Sequence, residues 1–365
     1  MEIFPTATDV DDAVRRHFTI LEWKVHYGVL TYTIGDEDTK QRFLRLYHEL
    51  SPKGFIPVLR REGDKKVLRI FKKPPERKHR LMWNIVLLSA TIVTVSIAGY
   101  LFTNSEVYSL IDPTFASYRV FHHLAYIAAI FFVLGIHELG HKIACLKHGL
   151  KSTPPYFIPG PPEIGGSLGA VMMQETPILN RDQLFDLGLL GPLMGFIASI
   201  LITLLGLSLS YLVPYDLVVM WMKQGRVSAL PTEPLLFGLM REGILSALRI
   251  PQDQVVIIHP IAFAGWVGML ITFLNTLPVG QLDGGHVVRA VFSSRKHLII
   301  SLAAIAIMLI TGFIVMAIVA LIIFFRGHPG PLDDVSPPST SRKALFILLP
   351  LMCGLCFTSI TFTVL

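Results

Sequence analysis

His137-Glu138-Leu139-Gly140-His141 places two imidazoles four residues apart, with a carboxylate between them. On a helix, positions i and i+4 face the same way, so both rings can reach one metal ion at about 2.0–2.1 Å. Glu138 is rotated to the flank of that face, where it can touch a metal-bound water without being a ligand. This is the spacing of a zinc site that activates water. From the chain's own His and Glu content, a chance match is expected about once or twice in a hundred such sequences. The setting sharpens the signal. The motif lies late in an apolar run, where each ionisable side chain costs on the order of 2.5–3.5 kcal/mol. Groups kept at that cost ligate a metal, pair, or line a polar cavity. The bland alternative is a hydrogen-bonded polar cluster that packs helices together.

A catalytic zinc needs a third protein ligand and an open fourth position. Few acids lie inside apolar sequence, and Asp283 stands out, in Asn275-Thr-Leu-Pro278-Val-Gly-Gln-Leu282-Asp283-Gly284-Gly285-His286. Pro278 and the glycine pair predict a broken helix end, whose irregular backbone must line a cavity or be buried. Taken alone, an ordinary Asp-Gly-Gly turn explains the same residues.

The elements that must position these groups belong to a membrane protein. Hydrophobic residues make up 52% and charged residues 16% of the 365, with mean hydropathy +0.57; soluble domains carry about 25% charged residues. The composition predicts a polytopic α-helical membrane protein of about six spans, at Trp83–Phe102, Val120–Leu146, Leu184–Val213, Pro260–Leu277, Leu298–Phe325 and Ala344–Leu365. Residues 1–80 read as a small α+β cytoplasmic domain and 81–365 as the membrane domain. In the first, Trp23–Ile34 reads as a strand ending in Gly35-Asp36, and Thr39–Leu50 as a helix stopped by Ser51-Pro52-Lys53-Gly54. Phe55–Leu59 and Val67–Phe71 flank Glu62-Gly63-Asp64 as a hairpin. Residues 214–259 form a long loop, and 327–341 a Pro/Ser-rich connector.

The net charge of +6 is concentrated between Arg60 and Arg80, where ten basic and three acidic residues sum to +7. A basic cluster just before a span favours anionic headgroups and a cytoplasmic chain end over a nucleic-acid partner. With the amino terminus inside, 24 of 32 basic residues fall on the cytoplasmic side, 17 without the portion before Arg60, against 8 outside. Both termini are then cytoplasmic. The second and fourth spans run in the same sense, which puts His137, His141 and Asp283 at similar depth on one side.

HExxH in one span, with Asn-x-x-Pro and Leu-Asp-Gly near the end of a later span, resembles the site-2 protease family of intramembrane metalloproteases. The resemblance extends from about Phe121 to Val288. Gly165-Gly166-Ser167-Leu168-Gly169 and Gly191-Pro192-Leu193-Met194-Gly195 also fit. A soluble amino-terminal domain before six spans is similar to the archaeal and chloroplast branch. The resemblance implies zinc ligands at His137, His141 and Asp283, a general base at Glu138, and a substrate-binding amide at Asn275. It also implies a zinc-dependent endopeptidase, acting in or near the transmembrane segments of membrane-anchored protein substrates. His286 stands where the family more often has Arg; it could be a spare ligand, but reads as a hydrated cytoplasmic-edge residue and is left out of the site.

Hydrolysis would follow from zinc acidifying water towards pKa 7 or so while Glu138 takes its proton. The run Gly165–Met173 is a candidate edge strand for pairing with unwound substrate; a plain Gly-rich loop is the alternative. Gly191 and Gly195 either permit close helix approach or are common membrane-helix residues. His122 and His123, near the outer end of a span, read as hydrated, and Cys353-x-x-Cys356 as helix packing. The rival functions are a divalent-metal transporter and a non-catalytic zinc-binding protein. The first needs charges along several spans, and the third, fifth and sixth have almost none. The second would not need Glu138.

Overall fold

The structure is a computed structural model, and it describes residues 7–74, 80–227, 230, 232–251 and 253–358. Part of the basic segment (75–79) and the end of the expected sixth span (359–365) lie outside the described residues.

The amino-terminal domain is built as α1 (Ala7–His17), β1 (Ile20–His26), β2 (Val29–Ile34), α2 (Lys40–Leu50), β3 (Phe55–Glu62) and β4 (Lys65–Lys72). Its sheet is antiparallel, in the order β1-β2-β4-β3. The stretch expected as one strand is a hairpin. Tyr27 and Gly28 both take positive φ (49° and 74°), the backbone of a tight two-residue turn matched to strand twist. Helix α2 carries its stripe inward through Phe43, Leu46 and Leu50, against Tyr32, Leu59 and Leu68 of the sheet. Gly54, at φ +83°, ends the single 3-10 turn after it.

The membrane portion contains α3 (Leu81–Thr103), α4 (Glu106–Ile111), α5 (Arg119–Lys147), β5 (Tyr156–Pro159), β6 (Ser167–Val171), α6 (Arg181–Ser208), β7 (Tyr211–Pro214) and α7 (Tyr215–Lys223). It continues with α8 (Leu235–Ala247), β8 (Gln254–Ile257), α9 (Pro260–Thr276), α10 (Asp283–Val291), α11 (Ser294–Ile310), α12 (Ile314–Phe325), α13 (Thr340–Leu345) and α14 (Leu348–Cys356). Among the described residues, α3, α5 and α6 are long and apolar enough to cross a membrane. The 17 residues of α9 span about 25 Å at 1.5 Å each. Helix α9 is nearly encased, because α6 offers it small residues. An added Cβ on Gly206 would strike the Ala262 backbone, and one on Gly265 or Gly268 would strike Thr203 or Ser199. Close approach of this kind is how helices associate where water supplies no drive.

The expected fifth span is not one helix. Thr311-Gly312-Phe313 closes α11 with Gly312 at φ +86° and amide bonds from Gly312 to Leu309 and from Phe313 to Met308, the Schellman pattern. The chain then returns. The Ser301 hydroxyl donates to the Pro278 carbonyl at 2.9 Å, and Gln281 donates to the Gly327 carbonyl at 2.9 Å. Phe313, between them, packs on Phe273 of α9. Helices α11 and α12 are therefore a hairpin that leaves and regains the level of Pro278–Gln281.

The connector consequently lies with the amino-terminal domain, not across from it. Leu332 and Asp333 receive and make backbone bonds on both sides: the Leu59 amide donates to Leu332, and the amides of Leu332 and Asp333 donate to Ile178 and Leu179. Arg60 adds bonds to the carbonyls of Pro329, Pro331 and Leu332. The connector thus bridges the β3 edge and the segment leading into α6 through isolated backbone bonds at Leu332–Asp334. Six spans with both termini on one side would put this connector across from the amino-terminal domain; it lies beside that domain because one glycine, Gly312, reverses the helix before it.

This topology makes a labelling prediction. A membrane-impermeant maleimide should modify Arg61→Cys and Arg326→Cys from the same face, and Arg249→Cys from the other. One continuous helix over 298–325 would instead place the positions 326 and 249 together.

Candidate metal centre

His137, Glu138 and His141 stand on α5, and all three are buried, at 4%, 5% and 8% exposure. Asp283 is the first residue of α10. Pro278 holds Leu277 extended (ψ 133°) and ends α9, and the chain then folds back. Added Cβ atoms on Gly284 and Gly285 would strike the carbonyls of Thr276 and of Val279 and Gly280. The glycine pair is what lets the start of α10 press against the end of α9. Asp283 is thereby carried to the two histidines.

The three side chains meet as a triangle. His137 Nε2 lies 3.1 Å from His141 Nε2, and Asp283 Oδ2 lies 3.4 Å from the first and 3.3 Å from the second. Ligands at about 2.0–2.1 Å around a tetrahedral zinc are separated by about 3.3–3.4 Å. The observed edges fit one face of that tetrahedron. On the other side of the His141 ring, Nδ1–H donates to the Leu187 carbonyl at 3.0 Å. That bond fixes the tautomer and leaves Nε2 as the free lone pair, the usual support for a metal-ligating histidine. Both oxygens of Glu138 are buried with no protein partner, as a carboxylate awaiting a water would be.

Helix α6 supplies the wall. Gly191 faces the His141 ring so closely that a Cβ would overlap it, and a Cβ on Gly195 would lie 2.8 Å from His137 Nδ1. Gly188 does the same for Asp283, whose carbonyl would be 2.6 Å from an added Cβ. Of the two readings of Gly191 and Gly195, the packing role is the one observed. Asn275 is in the last turn of α9, partly buried. Among the described residues, its side chain has no hydrogen bond with the triangle.

Several other expectations are corrected. His286 is not simply hydrated: its Nδ1 accepts from His328 Nε2–H at 2.8 Å, since Gly330 N–H already occupies His328 Nδ1. His122 and His123 bond to His259 and Ser96, both at 3.0 Å. Sequence reading missed Arg289, which is 2% exposed on α10. A cation six residues beyond a candidate ligand, within a short apolar run, was the available signal.

With the geometry established, comparison with known proteins decides the lineage. The family model for peptidase family M50 matches residues 125–319. The chain belongs to this family, the site-2 proteases. Curated relatives include a rice (Oryza sativa subsp. indica) protein named probable zinc metalloprotease EGY2, chloroplastic, 30% identical over 217 residues, or 59% of this chain and 38% of that protein. The Arabidopsis thaliana probable zinc metalloprotease EGY1, chloroplastic, is 32% identical over 58% of this chain and 39% of its own. The Arabidopsis probable zinc metallopeptidase EGY3, chloroplastic, is 26% identical over 75% and 48%. The chain thus spans less than half the length of these relatives. The matched region of the family model contains every residue of the triangle.

The wall can be tested directly. Gly191→Ala should lower the zinc content of the purified protein about tenfold or more. Gly135→Ala, on the same helix as the histidines with no atom within 4 Å of its Cβ, should leave it unchanged in metal analysis.

Proposed function

We propose that this chain is a zinc-dependent endopeptidase that cuts membrane-anchored proteins within or near their transmembrane segments. The observation that carries the reading is the His137–His141–Asp283 triangle, with edges of 3.1–3.4 Å, beside a buried Glu138 carboxylate that has no partner. Zinc bound there supplies a Lewis acid that acidifies water and polarises a carbonyl.

The chain's own residues do the rest. Glu138 accepts a proton from the attacking water as its oxygen bonds to the scissile carbonyl carbon. The same carboxyl then delivers that proton to the amide nitrogen as the carbon–nitrogen bond breaks. The Leu187 carbonyl holds the His141 ring, and the α6 glycines keep both rings from turning. Asn275, at the end of α9, is positioned in the chain to donate its amide to the substrate carbonyl oxygen.

A helical substrate has its amides paired internally, so the target stretch must unwind. Among the described residues, strand β6 pairs only with β5, along one edge, and Leu168 and Val171 are 45% and 47% exposed. Its second edge is suited to an unwound segment, since strand addition supplies backbone partners. Proline at position 170 should then reduce cleavage without changing zinc content. Cleavage equal to that of the unaltered protein would contradict strand pairing.

We read α3, α5, α6 and the shorter α9 as crossings, with the α11–α12 hairpin entering from one face in place of a fifth. The site and the amino-terminal domain then share the cytoplasmic face of a cell membrane. With Arg326, Arg342 and Lys343 moved to that face, it holds 27 of the 32 basic residues and the other side holds 5, a stronger positive-inside bias than before.

The deciding assay mixes purified zinc-loaded protein with single-span test proteins in proteoliposomes. Glu138→Gln should retain zinc yet lose cleavage by roughly 10²–10⁴-fold, and chelation should abolish cleavage until zinc is restored. Zinc flux that survives Glu138→Gln, with no cleavage by the unaltered protein, would favour a metal transporter.

A further inference from the structure

Helix α10 is only nine residues long, so whatever holds its far end also places Asp283 at its beginning. That far end packs through Val287, Val288 and Ala290 against α6 and α14, and one buried cation ties it to the connector. Arg289 is 2% exposed, and its guanidinium forks onto Asp334 of the connector, Nη1 at 2.8 Å and Nη2 at 2.5 Å. Asp334 also draws Arg181, in the first turn of α6, to 3.2 Å, and Arg181 bonds the Asp334 carbonyl at 2.8 Å. One carboxylate therefore ties α10 to α6, the helix whose Gly188 backs Asp283. Gly330, at φ +70°, closes over the fork; a Cβ there would lie 2.7 Å from Arg289 Nη2. The His328–His286 bond makes a second tie between the connector and α10.

The connector does not hold itself. It is set on one side by the Leu59 edge of β3 and by Arg60, both in the amino-terminal domain, and on the other by Ile178 and Leu179 before α6. A continuous path of backbone and charge-assisted bonds therefore runs from β3, through Asp334 and Arg289, to the residue that completes the metal triangle.

We propose that the Arg289–Asp334 ion pair is a positioning device for Asp283, through which the amino-terminal domain sets the metal affinity of the site. The proposal rests on the metal-centre reading above. Partners outside the coordination shell commonly govern affinity by 10–100-fold, and a bidentate guanidinium–carboxylate pair fixes angle as well as distance. Removing Asp334 leaves a buried cation unpaired, and α10 must shift to hydrate it. Because α10 is nine residues long, that shift is passed along it to Asp283 at the opposite end.

The test uses the full chain in detergent, with zinc titrated against a chelator and Co2+ as a spectroscopic stand-in. Asp334→Asn should weaken zinc binding about 10–100-fold and alter the visible Co2+ bands. Arg60→Gln, which removes hydrogen bonds to the connector carbonyls, should act in the same direction by a smaller factor. The exchanged pair Arg289→Asp/Asp334→Arg should recover part of the loss. Unchanged zinc affinity and Co2+ spectrum in Asp334→Asn, with only thermal stability reduced, would overturn the proposal. If that variant does not fold, unchanged affinity in Arg60→Gln overturns it equally. An unaltered protein that binds no stoichiometric metal would instead sink the metal-centre reading itself.

Discussion

Three electron-rich atoms aimed at one another in a nearly dry interior repel unless a positive charge lies among them. His137 Nε2, His141 Nε2 and Asp283 Oδ2 are in that position, with every edge between 3.1 and 3.4 Å. A shared proton can serve one edge at a time, whereas a divalent cation serves all three and leaves a fourth direction open. The low surrounding dielectric magnifies both the repulsion and its relief. Much of the rest of the membrane domain can be understood as what makes this convergence possible.

Two of the atoms come cheaply, since one helical turn aligns them. The third has to be carried in from a different helix, and the fold does so by removing side chains. Gly188, Gly191 and Gly195 thin one face of α6 where the imidazoles and Asp283 stand. Gly284 and Gly285 let the start of α10 lie on the end of α9. Pro278 stops α9 before it can carry the chain past the site. Each of these is an ordinary membrane-helix residue in isolation, and each gains its meaning from the neighbour it admits.

That difference explains what was legible in the sequence. The histidine pair and Glu138 could be read because their relation is local, fixed by helical periodicity alone. The meeting of Asp283 with them followed from counting spans and basic residues, since it lies just past the end of α9 as the histidines lie late in α5. The α11–α12 hairpin was not legible, because Gly312 inside a 28-residue apolar stretch looks the same whether it kinks a helix or reverses it. The split at Tyr27-Gly28 was missed for a similar reason: Tyr is an unusual residue at positive φ, so a strand reading ran through it. The partners of His122, His123 and His286 were long-range, and hydration was the default for residues placed near an interface. Least visible of all was the docking of the amino-terminal domain. It depends on a strand bridge between Leu59 and Leu332, 273 residues apart, for which neither segment carries a pattern.

The identity and surroundings of the ion are the most direct test of the central claim. Zinc K-edge X-ray absorption on the purified, full-length protein reports the ligand shell without reference to any substrate. Coordination by His137, His141 and Asp283 predicts a shell of nitrogen and oxygen at about 2.0–2.1 Å, with imidazole outer-shell scattering and no sulfur. That shell should be lost in an Asp283→Ala, His141→Ala double variant. A sulfur shell at about 2.3 Å, or a metal spectrum indifferent to those two substitutions, would contradict it.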